Sequence, residues 1–527
     1  MKIIFNHKKL IMKKLLTLLL ILLTTISFSQ ENIGYQKPSK EILDLVDAPE
    51  TPSVIITDDG SYMIMLYRDY YKTISELSET ELRLAGLRIN PKTNIGSRTN
   101  YYNNITIKSP KDREVIQVEG LPNNPRIANL TFSPDQSKIA ITNTTEKGVE
   151  LWVLDLKNAS VKKLTEPNVN ANLGDVINWF KDGESILVKM LPQNRMPLID
   201  DNESVPNGPT ISSNDGKEAQ NRTYQDLLKN PNDEFNFEQL ALSELYKVSL
   251  DGNIKKWKNA EMFRSVSFSP NGEYVMVVTI NKPFSYLVTY SRFPSTTTIY
   301  KNDGSLVNKI LEVPLIEDLP KGFMAERMGM RDLSWRNDKP SSLIYAQVLD
   351  GGDPGNIVEY RDEVFQLDAP FNSLGKSILK TKNRFSGIQW GTDNIAIAYD
   401  NWWNDRNTKT YLFNPSDTSK DPIIISDRNY QDVYSDPGNI VTKRNEYGTL
   451  VLALDGKDAY LTGDGFTEKG QFPFVDQIDL ETLKTTRLYT SNIANKKESL
   501  VEYNPEKDQL LVRIESKSEY PNYYYKK

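Results

Sequence analysis

One phrase recurs along this chain: a short alternating apolar strand, a polar turn built on Asp, Asn or Gly, and a second alternating strand. Its clearest copy runs from Ala128 to Thr165, where Leu130 and Phe132 lead into a Ser133-Pro134-Asp135 turn and Ile139-Ala140-Ile141 follows. Leu151 to Leu156 then forms a further strand, and Val161 to Leu164 begins the next. Related turns lie at Asp58-Asp59-Gly60, Lys181-Asp182-Gly183, Ser269-Pro270-Asn271-Gly272, Arg336-Asn337-Asp338, Gly391-Thr392-Asp393 and Asn504-Pro505-Glu506-Lys507-Asp508, with a weaker one at Leu454-Asp455-Gly456. Period-two alternation between turn signals gives strands. Asp135 and Asp182 stand 47 residues apart, and Asp338 and Asp393 stand 55 apart, near the ~40–50 residues of a four-stranded blade. The chain is therefore predicted to be all-β, a seven- or eight-bladed β-propeller of four-stranded antiparallel blades over residues 51–515. Two packed β-sandwiches are the competing architecture, and repeats of this length speak against them.

Helical patterning is scarce. In the segment 30–50, Ser39 is placed to cap a short helix carrying Ile42, Leu45 and Val46, which Pro49 stops. The interval 191–240 reads as a polar insertion, with a Pro206-Asn207-Gly208-Pro209 break and a helical stretch near Thr223 to Leu228. Insertions of this kind line one face of a repeat array, often the binding face.

The first 29 residues differ from the rest. Five lysines (Lys2, Lys8, Lys9, Lys13, Lys14) precede an apolar run from Leu15 to Leu23, and Ser27-Phe28-Ser29 supplies small residues for cleavage. This pattern predicts a signal peptide and an exported protein, periplasmic or extracellular; a retained N-terminal anchor is the alternative. Met12 also serves as a start, since everything a leader needs follows it. Removing the leader takes five lysines and no acid, so the net charge of −6 becomes −11. No cationic cluster remains to neutralise phosphates, which argues against nucleic acid. No membrane span is expected once the leader is gone.

Two absences narrow the chemistry. There is no cysteine, hence no disulfide, thiol nucleophile or thiolate metal site. The single histidine is His7, inside the leader. Triads and dyads that use imidazole to move the proton are thereby excluded from the mature chain, as are histidine-held zinc and copper. No cofactor or metal is expected.

Longer phrases carry a resemblance. They are Leu43 to Pro49 with Thr51-Pro52; Glu81 to Ile89 (ELRLAGLRI); Arg222 to Lys229 (RTYQDLLK); Pro283-Phe284-Ser285-Tyr286 with Arg292-Phe293-Pro294; and Trp335 to Ser341 (WRNDKPS) followed by Asp350-Gly351-Gly352-Asp353. On these the chain, from about Tyr35 to its last residue, resembles the prolyl oligopeptidase family of serine peptidases, in its glutamyl endopeptidase branch. The resemblance implies a propeller that covers, and restricts entry to, an α/β-hydrolase domain carrying the triad. No Gly-x-Ser-x-Gly elbow occurs here, and residues 516–527 resemble the start of the segment leading into the hydrolase domain. No catalytic residue can be assigned by resemblance.

Several side chains remain as candidates. Arg292, Arg327 and Arg331 lie in or near the resembling phrases, and a Glu-selective peptidase needs a guanidinium fork for the substrate carboxylate; surface salt bridging is the plainer reading. Trp402 and Trp403 are adjacent, so on a strand they face opposite ways and one reaches a surface or a partner. Ile42, Leu45 and Val46 form an apolar stripe that either docks a hydrolase domain or packs on the propeller. Asp350 to Asp353 reads as a calcium loop or, better, as a connecting turn.

Two functions compete. In the first, the chain is the non-catalytic propeller portion of an exported peptidase, gating peptide access to a hydrolase domain or a separate α/β-hydrolase polypeptide. In the second, it is a stand-alone envelope module that binds a protein or peptide partner. A glycosidase-like propeller lacks support, because no carboxylate pair stands out.

Overall fold

The structure is a computed structural model describing residues 36–109, 114–200 and 224–527, with Lys14 and Thr17 besides. The expected signal peptide therefore lies almost wholly outside the described residues, as do Arg222 and Thr223. By its internal contacts the chain forms two compact units, one of residues 1–52 and 69–72, the other of 53–68 and 73–527.

In the smaller unit the expected short helix is present as α1, Lys40–Val46. Ser39 occupies the N-cap position, but its side chain makes no capping bond; its carbonyl accepts from the amides of Ile42 and Leu43. Ile42, Leu45 and Val46 are all exposed, Leu45 to 80%.

The larger unit is a succession of antiparallel sheets in chain order. Four-stranded meanders begin at Ser53, Ile127, Arg331, Arg384 and Asn439, and a three-stranded one spans Lys497 to Lys526. Between the second and fifth sheets lies a seven-stranded sheet in which one strand, Ile254–Phe268, does double service. Its first half pairs with Ser243–Ser249 and closes the third repeat; its second half pairs with Tyr274–Ile280 and opens the fourth. Among the described residues eight repeats result, seven of them four-stranded, in line with the predicted strand–turn phrase.

Every apolar cluster between these repeats is shared by two successive sheets. Ile64 and Ile105 of the first pack with Ile139 and Leu154 of the second. Ala140 and Leu151 of the second pack with Ile186 and Val248 of the third, Leu187 with Val275, Ile299 with Leu343, Ala346 with Ala396, Ile397 with Leu461, and Val475 with Val512. Middle strands are thus covered on both faces, which is why Ser185–Met190 is buried at every position instead of alternating. Fourth strands are less covered: Thr485–Thr490 is almost wholly exposed, while Lys376–Thr381 still buries Ile378 and Leu379. The last sheet also meets the first: a Cβ at Gly60 would lie 2.6 Å from the Tyr525 hydroxyl.

The predicted turns all fall between the first and second strands of their sheets. Their polar residues hold the backbone in one recurring way. Thr57, Ser133 and Ser269 donate their hydroxyls to Asp59, Asp135 and Asn271 at 2.7, 2.6 and 2.8 Å. The same three side chains then accept the amides of Ser61, Ser137 and Glu273, the local bonding for which Asx and Ser are chosen in turns. Five of the first strands carry a second device, a register shift at Ala128/Thr131, Phe263/Ser265, Arg331/Ser334, Phe385/Gly387 and Leu500/Glu502. Such bulges sharpen twist and re-aim side chains.

The helix expected near Thr223 to Leu228 is not there. Asp226 has φ +58°, which ends any helical run. The helix begins later as α2, Pro231–Ala241, where Asn230 accepts the Asp233 amide and Pro231 occupies the first turn.

Candidate functional site

Because first strands run toward the predicted turns and second strands run back, connections from second to third strands lie at the other end of each sheet. Four long insertions are of this kind, at 73–103, 191–242, 281–294 and 349–361, whereas the one at 441–457 joins a first strand to a second and lies at the turn end. Those of the first, third and fourth sheets pack together into an apolar cap of Leu84, Ile89, Phe237, Leu240, Val288 and Phe293. Arg88 reaches Asp226 at 2.6 Å, the Gly86 amide donates to the Asp226 carbonyl at 2.8 Å, and the Tyr290 amide to the Ala85 carbonyl at 2.9 Å. Gly86 has φ +90°, and a Cβ there would press on Thr289 at 2.8 Å, so glycine is needed where the two insertions meet. Three of the resembling phrases, ELRLAGLRI, the described part of RTYQDLLK, and PFSY with RFP, are thus one structural element. Arg292 belongs to it: its guanidinium stands 5.7 Å from the Tyr224 ring centroid.

The other candidates gather elsewhere, at the same end of the fifth and sixth sheets. Asp350 and Asp362 have fully buried carboxylates. Arg384 donates to both, at 2.8 and 3.1 Å; Arg361 donates to Asp350 at 2.9 Å; Arg331 pairs with Asp362 and with Asp332. The surface-bridge reading of Arg331 is corrected by this geometry, since the residue is only 7% exposed and its partner is buried. Arg327 spends its guanidinium on the carbonyls of Met328 and Met330. Asp350 to Asp353 forms a turn in which the Asp350 carboxylate accepts the Gly352 amide at 2.9 Å, and Gly351 and Gly352 have φ +71° and +78°. Among the described residues no group of three His, Cys, Asp or Glu could hold a metal.

Trp402 ends the strand Ile395–Trp402 and Trp403 opens the turn beyond it, and the two differ in burial. Trp402 is buried with the Arg361 guanidinium 3.8 Å from its ring centroid. Trp403 is 44% exposed, with Arg406 at 3.8 Å on its ring and Phe323 at 5.4 Å. Phe323 is itself exposed. Burial pushes the Glu326 carboxyl up, with Arg331 and Arg384 only partly offsetting it. Burial likewise raises Asp400, although Tyr411 and the amides of Asn383 and Lys409 donate to it.

Sequence reasoning thus named Arg327, Arg331, Trp402, Trp403 and the Asp350 to Asp353 turn of this corner, and left Arg292 to a different one. It missed Asp362, Arg361, Arg384 and Phe323. Their partners lie 11 to 80 residues away, so no local pattern announces them. Chemically the corner offers guanidinium, carboxylate and aromatic surface without a nucleophile–base pair.

No family model matches the chain. It is 33% identical over 526 residues to a protein of Oryza sativa subsp. japonica named "Probable glutamyl endopeptidase, chloroplastic", covering 94% of this chain and 56% of that protein. A protein of the same name from Arabidopsis thaliana is 31% identical over 525 residues, covering 93% and 54%. Prolyl oligopeptidase B from Galerina marginata superimposes with a TM-score of 0.40 at 9% identity, over 90% of this chain and 57% of that one; Pyrococcus horikoshii acylaminoacyl peptidase does so at 0.38 and 12%, over 89% and 58%. The chain spans about half the length of the curated relatives it matches, and along nearly all of its own length it is a homologue of proteins named as glutamyl endopeptidases.

Proposed function

We propose that this chain is the propeller portion of a serine peptidase of the prolyl oligopeptidase family, glutamyl endopeptidase branch, and that the eight repeats are its blades. The observation that carries the reading is identity of 33% sustained over 94% of the chain, with relatives named for that activity. In this reading the chain is not itself catalytic, because residues 8–527 hold no imidazole to take a proton from a serine. Acyl transfer falls to a hydrolase supplied by further residues of the same polypeptide or by another one. The insertion-bearing end faces that hydrolase and decides which peptides reach it. The lysine-led apolar run at the N-terminus supports export of the whole.

The test is direct. Purified 30–527 is offered Glu-containing fluorogenic peptides and a fluorophosphonate probe. No turnover and no covalent label are expected; labelling of this polypeptide would overturn the non-catalytic reading. Supplying a cognate hydrolase should restore Glu-selective cleavage, and failure to do so would remove the gating role.

The exposed Phe323–Trp403 pair favours a second reading, a stand-alone module for a protein or peptide partner. Under it, Trp403→Ala abolishes partner capture in the absence of any hydrolase.

A further inference from the structure

Among the strands that lie outside the eight sheets is a hairpin on the turn end. Thr442–Arg444 pairs with Leu450–Leu452 around an Asn445-Glu446-Tyr447-Gly448 turn. The turn is closed by its own bonds: the Asn445 carboxamide oxygen accepts the amides of Tyr447 and Thr449 at 3.0 and 3.1 Å, and Gly448 has φ +70°.

Its other bonds all go to first-to-second-strand turns of distant sheets. Arg444 pairs with Asp58 of the first sheet, 386 residues away. A Cβ at Gly448 would stand 3.9 Å from the Pro134 carbonyl oxygen of the second. The Lys181 ammonium of the third donates to the Tyr447 carbonyl. From the fifth, the Asn337 carbonyl accepts from the Asn445 amide group at 2.7 Å and from the Thr449 hydroxyl at 2.6 Å, while the Asn337 side chain donates to the Leu450 carbonyl at 3.2 Å. Lys443 pairs with Glu506 of the eighth at 2.7 Å. An eleven-residue hairpin can bond to four turns and lie beside a fifth only if those turns converge around it.

We propose that the hairpin Thr442–Leu452 is a strap across the turn end of the array, holding the first, third, fifth and eighth sheets together there and limiting how far they can part. This rests on the blade reading of the repeats, though not on the peptidase activity. Each anchor is weak alone. The Arg444–Asp58 pair has both side chains 42–50% exposed, and pairs of that kind contribute about 0–1 kcal/mol. Burial and the neighbouring Arg444 charge lower the Lys181 pKa, so the third-sheet anchor and the first-sheet anchor share one crowded spot. The strap acts through the number of sheets it joins, and losing it lets the turns open locally while the inter-sheet cores persist.

Native-state hydrogen exchange on Arg444→Ala/Asn445→Ala tests this. The expected result is roughly tenfold faster exchange at 57–61, 181–185 and 336–339 together, with the helix Pro231–Ala241 unchanged. A rise confined to 442–452 overturns the strap, and so does an equal rise in that helix, which marks ordinary global destabilisation. If the double variant does not fold, Arg444→Ala alone removes only a half-exposed pair and is read at 57–61 by the same criterion. No peptide or hydrolase enters these measurements, so a negative result leaves the peptidase reading standing, and the converse holds.

Discussion

Arg384 donates to the Asp350 carboxylate at 2.8 Å across the seam between the sixth and fifth sheets. The same guanidinium holds Asp362 at 3.1 Å, so one cation answers two carboxylates that have no exposure of their own. Such a group is costly to remove, because desolvated charge is left behind.

Arg384→Ala is accordingly expected to destabilise the protein by about 3–5 kcal/mol. Arg384→Met/Asp362→Leu, which removes charge on both sides, should recover part of that loss. Urea denaturation of the two variants checks it; equal losses would mean the seam does not depend on charge balance.

The two tryptophans separate stability from recognition. Trp402→Ala opens a buried site and should cost about 3–5 kcal/mol. Trp403→Ala should stay within about 0.5 kcal/mol of the parent, and any defect it shows should appear in partner or peptide capture. Thermal unfolding and a binding assay, run on both, distinguish the roles.

Lys189 is a pH probe built into the third sheet. It is wholly buried, and burial brings its pKa down to about 7 against a weak pull from Asp175, although its ammonium donates to the carbonyls of Asn172 and Leu173. From about pH 7 to the ~10.4 of an unfolded lysine, the unfolded chain binds the extra proton, so stability should climb with pH by up to about 1.4 kcal/mol per unit. Below pH 7 this contribution is flat. Lys189→Met should erase the climb; parallel pH dependences in variant and parent would refute it.

Asn230→Ala removes the side chain that accepts the Asp233 amide at 2.8 Å. A loss of about 1 kcal/mol is expected, with faster exchange at the start of Pro231–Ala241. Because that helix supplies Phe237 and Leu240 to the cap, exchange at 82–90 should rise with it.

The repeat was legible in the sequence because it is local: each turn carries its own Asx or hydroxyl bonds, as Asp135 and Ser133 do. Sheet order followed from it. The helix near Thr223 was misplaced because apolar spacing gave no sign of the left-handed Asp226. The corner at Asp350 and Asp362 was only half legible, since Arg361 and Arg384 are drawn from neighbouring strands by burial and not by spacing. The strap was invisible, for the Asn445-Glu446-Tyr447-Gly448 turn looks like any hairpin until Asp58 and Asn337 are placed beside it.

The strand Ile254–Phe268 has a mechanical consequence. Elsewhere successive repeats are joined by loops that can bend, but here one extended segment is hydrogen-bonded into both neighbours. Pulling the third repeat away from the fourth would mean stripping ladder bonds one by one, whereas at other joints a few loop torsions suffice. The third and fourth repeats must therefore travel as one plate, and any hinge lies at another joint.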